Sequence, residues 1–151
     1  MRRHDREITS RESIDSIIRR CHVCRLAMCD NGQPYIVPLS FGYDGENLYF
    51  HAAPQGRKAD ILARNSQVCF EFDIMNELVM AEHACGWSMR YESVIGFGDA
   101  EMVTGTDARR AGLNCIMRQY SGSDWSYNEQ ALENTLVIRV KIREISGKTR
   151  S

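Results

Sequence analysis

At 151 residues the chain has the length of one ordinary domain, enough to bury about two-thirds of its unfolded surface. Hydrophobic content of 43% and charged content of 26% are those of a globular protein, and a net charge of −1 with a pI near 6.4 lacks the basic excess of a nucleic-acid binder. No apolar run reaches the roughly 18 residues of a membrane span, MRRHDREITS lacks the apolar stretch of a secretory signal, and six cysteines without such a signal read as free thiols of a reducing cytoplasm.

Basic residues gather at both tips of the chain, Arg2, Arg3 and Arg6 at one and Lys148 and Arg150 at the other, and read as solvated tails. Thr9 followed by Glu12 has the spacing of a capping box. Ile14, Ile17, Ile18 and Cys21 then recur at i, i+3, i+4 and i+7, which predicts a helix over 10–20 with one apolar face.

The period then changes from helical to extended. Residues 21–53 read as three strands separated by the turns Asp30-Asn31-Gly32 and Asp44-Gly45-Glu46-Asn47. Pro38 lies inside the second of these. A proline cannot donate to a β-ladder, so that strand is expected at a sheet edge or at a bulge. A short helix is expected to begin near Gly56, with Ala59, Leu62 and Ala63 as its apolar side. VCFEFDI follows as a strand with Val68, Phe70 and Phe72 on one face and Cys69, Glu71 and Asp73 on the other.

Residues 75–87 carry no clear period and are expected to form a loop that closes over something. YESVIGFGDAEMV resumes strand character, its Gly96 and Gly98 marking a bulge or a close backbone approach. A helix is predicted after the Gly105-Thr106 break. The last element alternates strictly, Ile138, Val140 and Ile142 against Arg139, Lys141 and Arg143, as a half-buried strand with a basic face. The sum is mainly β with peripheral helices: a single domain whose six strands, joined by tight turns over about 24–146, favour a small antiparallel barrel.

The short helix holds an electrostatic oddity. A helix N-terminus is partly positive and favours acidic residues, yet here Arg57 and Lys58 follow Gly56. Three explanations fit the residues alone: both side chains solvated, an acidic partner such as Glu71 or Asp73, or a bound phosphate on the helix N–H groups and the two cations. Neither a P-loop nor a dinucleotide fingerprint is present.

Taken in order, YIVPLSFGY, LYFHAA-x-x-GRK and YESVIGFG resemble the FMN-binding split-barrel superfamily, and within it the pyridoxamine 5'-phosphate oxidase-related proteins of the nitroimidazole-resistance (Nim) type. The similarity runs from about Cys21 to Val103, with a weaker echo in the closing strand. It implies that the six-stranded antiparallel barrel is a split barrel, in a homodimer with FMN at the interface. Val37, Pro38, Leu39 and Ser40 would run along the flavin edge, mostly through backbone atoms. Phe50, His51 and Ala52 would flank the ribityl chain and ring. Gly56, Arg57 and Lys58 would hold the phosphate, and Ser93 would reach the flavin from the partner subunit. The chain lacks the Trp/Arg-rich C-terminal segment that binds pyridoxal phosphate in the oxidases proper. The implied activity is therefore reduction of a small electrophile, a nitroaromatic or a quinone, with electrons from NAD(P)H. The alternative is a flavin- or haem-binding module without turnover.

The other candidates are weighed against plainer roles. Cys21 and Cys24 form a C-x-x-C that reads as a pair of buried thiols, a metal site with His83 and Cys85 or a redox pair being the alternatives. His51 reads as a hydrogen-bonded strand residue or, beside a flavin, as the catalytic group that holds a proton toward the substrate. Trp87 and Trp125 are expected to pack in the core or at an interface.

Overall fold

A computed structural model describes residues 3–150. Arg2, grouped with Arg3 and Arg6 above, lies outside the described residues. The elements in order are strand β1 (Glu7–Ile8), helix α1 (Arg11–Arg20), β2 (Cys24–Asp30), β3 (Gln33–Leu39), β4 (Gly42–Tyr43), β5 (Asn47–Ala52), α2 (Arg57–Arg64), β6 (Gln67–Val79), β7 (Ser88–Met102), α3 (Thr106–Ser121), α4 (Glu129–Glu133) and β8 (Leu136–Arg150). Short 3-10 turns precede β1 and β7.

All ladders are antiparallel, in the order β3-β2-β6-β7-β8-β5-β4, with β1 added to the end of β8. The first and last strands of this path, β3 and β4, are consecutive in sequence and are separated only by Ser40 and Phe41. A sheet whose two edges are tied by two residues must curl on itself, and the result is the expected split barrel. Six of its strands are longer than two residues. The two-residue β1 and β4 complete the eight, and β8 runs on to Arg150 rather than ending near 146.

The inner face carries the core. Val68, Phe70 and Phe72 of β6 are buried as their alternation predicts, and Ile138 and Val140 of β8 join them. Phe41 and Phe72 meet edge to face at 4.8 Å, the geometry aromatic rings prefer. Each fully buried side chain of this size contributes about 1.5–3 kcal/mol. Helix α1 closes the barrel with Ile14, Ile17 and Ile18, and α2 adds Ile61 and Leu62. Helix α3 lies outside, over β4, β5 and β8. Its close approach requires Gly42, where a Cβ would stand 2.5 Å from the Cys115 carbonyl carbon.

Gly96 and Gly98 do mark a close approach and a bulge. A Cβ at Gly96 would meet the Phe70 ring at 2.2 Å, and the register of β7 on β8 shifts between Phe97 and Gly98. Pro38 sits on an edge strand, since β3 pairs with β2 alone.

Several expectations need correction. The cap of α1 is Ser10, not Thr9: the Ser13 N–H donates to Ser10 Oγ at 3.3 Å. The second predicted strand breaks into β3 and β4 at Ser40-Phe41, where the chain passes from one sheet edge to the other. Residues 75–79 are not loop. Strands β6 and β7 extend as a hairpin arm beyond the barrel, with Leu78 opposite Met89 and Val79 opposite Ser88. Both faces of that arm are wet, so no alternation betrays it. Trp87 and Trp125 are not in the core, being 49% and 54% exposed. No helix among the described residues is long and apolar enough to cross a membrane.

Candidate functional site at the start of helix α2

The chain leaves β5 at Ala52 and turns through Pro54 to Gly56, which takes φ +134°. That region is open to glycine and strained for other residues, and nothing lies within 4 Å of where a Cβ would be. Gly56 has no side chain to cap the helix, and the first backbone bond of α2 is Asp60 N–H to Gly56 C=O at 3.1 Å. The N–H groups of Arg57, Lys58 and Ala59 thus start the helix without intrahelical acceptors.

Arg57 and Lys58 are the first two residues of the helix. Arg57 is exposed and its guanidinium lies 4.4 Å from the centre of the Tyr35 ring on β3. This cation–π contact pins α2 to the sheet edge. Lys58 is half-buried, and burial holds its pKa below the ordinary lysine value. Among the described residues no carboxylate lies within 4.0 Å of either. The acidic-partner explanation therefore fails. Glu71, at 3.0 Å, and Asp73 both pair with Arg25 instead. A half-buried lysine without a carboxylate partner, in the first turn of an uncapped helix, suits a terminal phosphate in charge and in donor chemistry.

The remaining candidates fall into two places. Val37 and Leu39 are half-buried, while Pro38 and Ser40 are exposed along β3. No strand of the described residues pairs with the outer side of β3, so its backbone groups there are open to a planar ligand. Phe50 is fully buried, so only its backbone can face a ligand, whereas His51 is exposed and Ala52 half-buried. Two residues after Ser40 the chain joins β5, with Gly42 opposite Tyr49 and Tyr43 opposite Leu48. Ser93 is not brought to this cradle within one chain. It lies on β7 between Asp73 and Lys148, with β2 and β6 standing between it and β3.

Tyr35 is a site residue the sequence reading missed. Its signal was the alternation Tyr35, Val37, Leu39 on one side of β3, but nothing local told that α2 would return there.

The outer face of the sheet is a second feature. Cross-strand register puts Ile36, Ala27, Cys69 and Phe97 in one row and Pro38, Arg25, Glu71 and Ile95 in the next. Ile36, Ile95 and Phe97 are 59%, 45% and 46% exposed. The cysteines show no such exposure at the C-x-x-C. Cys21 and Cys24 are buried, which pushes the Cys21 thiol up to about 11 and Cys24 further still. Both are poor nucleophiles in that state. His83 and Cys85 are exposed on the arm loop, and no three His, Cys, Asp or Glu among the described residues gather as a metal site.

A family model described as pyridoxamine 5'-phosphate oxidase matches residues 10–149. The chain belongs to the pyridoxamine 5'-phosphate oxidase family. Among solved structures, a candidate 5-nitroimidazole antibiotic resistance protein from Bacteroides thetaiotaomicron superposes with a TM-score of 0.86 and 35% identity, over 95% of this chain and 86% of that one. The flavocytochrome Anf3 of Azotobacter vinelandii gives a TM-score of 0.88 at 22% identity, over 100% of this chain and 72% of that one. An FAD- and haem-binding protein of Mycobacterium smegmatis gives 0.87 at 23%, over 97% and 74%. At those identities the last two speak for the fold alone. An uncharacterised protein of Rhizobium meliloti (strain 1021) is 34% identical over 64 residues, 42% of each chain. As a member of the oxidase family, the chain has the split-barrel fold.

Proposed function

We propose that this member of the pyridoxamine 5'-phosphate oxidase family is an FMN-dependent oxidoreductase that reduces a small electrophile, a nitroaromatic or a quinone, with electrons from NAD(P)H. The observation that carries the proposal is the pair Arg57 and Lys58 at the uncapped start of α2, with no carboxylate of the described residues to neutralise it and with Lys58 already desolvated. A flavin ending in a single phosphate matches that site. When bound, such a flavin supplies two-electron transfer between a nicotinamide donor and a small oxidant.

The residues of the chain have separate tasks. Arg57, Lys58 and the first N–H groups of α2 hold the phosphate. The free edge of β3 from Val37 to Ser40 lines the ring through its backbone, and the backbone of Phe50 with Ala52 borders the ribityl side. His51, exposed at the end of β5, holds a proton toward the substrate. The cradle is open to water on one side, since Pro38, Ser40, His51 and Arg57 are all exposed. A second copy packed on the outer face would cover Ile36, Ile95 and Phe97 and bring its Ser93 to the ring. Hence we assign a homodimer. Six free thiols suit a cytoplasmic setting.

Purified protein tests the proposal in one cuvette. It should absorb as a flavoprotein and bleach anaerobically with NADH or NADPH. A bound flavin that neither donor bleaches would point to a binding module, and a Soret band to haem. His51→Ala should keep FMN affinity and slow substrate reduction by about 10²-fold or more, the usual worth of a positioned acid. Intact turnover in that variant would reduce His51 to a strand residue.

A further inference from the structure

The basic clusters at the two tips of the sequence play no part in the flavin cradle, and the fold brings them together. Strand β1 lies antiparallel on the end of β8, with Glu7 opposite Lys148 and Ile8 opposite Gly147. On the other side of β8, Lys148 faces Ser93 and Arg150 faces Tyr91. The ammonium of Lys148 stands 5.8 Å from the centre of the Tyr91 ring.

The carboxylates nearby do not cancel these charges. Asp5 is shared between Arg3 at 2.7 Å and Arg6 at 3.8 Å. Glu92 is held by Arg20, Glu77 by Arg90, and Glu7 by His4. Lys148 has no carboxylate of the described residues within 4.0 Å, and Arg150 donates to the Ser88 hydroxyl. The Tyr91 phenol registers the local potential. Its burial acts to raise the pKa, yet hydrogen bonding and charge from Lys148 and Arg6 carry it below the usual value. Gathering like charges costs free energy, and a corner built this way gains stability when an anion enters.

We propose that the corner framed by Arg6, Tyr91, Lys148 and Arg150 is a binding subsite for the diphosphate of a nicotinamide dinucleotide. Two features favour a small phosphorylated ligand. The cations come from two segments far apart in sequence, the turn before β1 and the end of β8, and meet beside one aromatic ring of β7, and the excess of charge is local in a chain whose net charge is −1. Tyr91 and Lys148 share the outer face with Ser93. If Ser93 borders a flavin held by the second subunit, the corner sets the donor's diphosphate beside that ring. That last placement rests on the proposed flavin site, whereas the anion subsite itself does not.

Calorimetric titration of the full chain with sodium diphosphate, NADH and NADPH at low salt tests the assignment. All three should bind saturably, in the Arg57→Ala/Lys58→Ala background as well as in the unaltered chain. Lys148→Gln and Arg6→Gln should each weaken binding about tenfold, the effect of one lost charge-assisted contact at a partly exposed site. A second readout is spectroscopic: the phenolate absorbance lost in Tyr91→Phe should titrate at higher pH with diphosphate present, because a bound anion opposes a neighbouring phenolate. Absence of saturable binding, binding that survives both glutamine substitutions, or binding that vanishes with Arg57 and Lys58 would overturn the subsite. Diphosphate binding without dinucleotide binding would overturn the nucleotide assignment. A chain that binds diphosphate here and no FMN would sink the flavin proposal and leave this one standing.

Discussion

Helix α1 opens on Ser10, whose hydroxyl accepts from the Ser13 N–H, carries Glu12 in its first turn and closes on Arg19 and Arg20. Helix α2 opens on Gly56, which offers no cap, and places Arg57 and Lys58 at its first two positions, ahead of Asp60, the acid of its first turn. Both bury a comparable apolar side, Ile14, Ile17 and Ile18 in one case and Ile61 and Leu62 in the other. Packing therefore does not explain the difference. The charge order of α1 complements its dipole, so the helix is satisfied within the folded chain. That of α2 opposes its dipole, so the free N–H groups and two cations remain available for a ligand. Stability is complete at the first helix and is withheld at the second.

The largest effect that would break this contrast is loss of the ligand at α2. Arg57→Ala combined with Lys58→Ala should weaken FMN binding by about 3–6 kcal/mol, from two charge-assisted phosphate contacts at about 1.5–3 kcal/mol each. The flavin-free protein should lose only the about 0.5–1 kcal/mol of the exposed Arg57–Tyr35 cation–π contact, far less than the loss in FMN affinity. Quenching of flavin fluorescence measures the first quantity and a thermal scan the second. Equal affinity in the double variant would remove the phosphate from α2.

The pH dependence sharpens the same point. Burial without an anionic partner lowers the Lys58 pKa from its ordinary 10.5. A phosphate favours the protonated form and draws the pKa back up. Below the lowered pKa the lysine is already charged, and FMN affinity is independent of this group. Above it, binding must take up a proton, so affinity falls by up to about tenfold per pH unit until the pKa of the complex is reached. Titrations across the alkaline range should show that slope in the unaltered chain and not in Lys58→Gln. For α1 the matching test is a cap deletion: Ser10→Ala should destabilise the protein by about 1 kcal/mol in urea unfolding, with FMN affinity unchanged.

How far the sequence could be read depended on whether one face of an element is buried. The alternation of Val68, Phe70 and Phe72, and that of Ile138 and Val140, reports a wet side and a dry side, and both strands were legible. The arm from Met75 to Val79 has no dry side, with Met75 64% and Leu78 52% exposed, so its pairing with β7 left no period to read. Two-residue β1 is too short to show any period, so the pairing of the chain's start with the end of β8, Glu7 opposite Lys148, was out of reach. At the site, Gly56-Arg57-Lys58 was visible because it contradicts a local rule. Tyr35 under Arg57 was not, since that contact depends on where α2 returns to the sheet. The burial of Phe50 could have been found from the same period-2 reasoning that served β6, because His51 and Phe50 cannot share a face.

The smallest effect is also the one that separates the two explanations of α2 most cleanly. Lys58→Glu puts a carboxylate in the first turn, beside N–H groups that lack acceptors. If the helix start is merely a solvated surface, this charge reversal should bring α2 into line with α1, raise the stability of the flavin-free protein by about 0.3–1 kcal/mol and do nothing else. If the start of α2 is a phosphate site, the same gain should appear in the absence of flavin, while FMN binding is lost and no stabilisation by added FMN can be detected. The sign of the stability change is common to both cases, so chemical unfolding alone does not decide. Unfolding with and without excess FMN does, because ligand that binds only the folded chain adds stability in proportion to the logarithm of its concentration over Kd. A Lys58→Glu protein that is still stabilised by FMN as strongly as the unaltered chain would show that the cations of α2 answer to water and to nothing more.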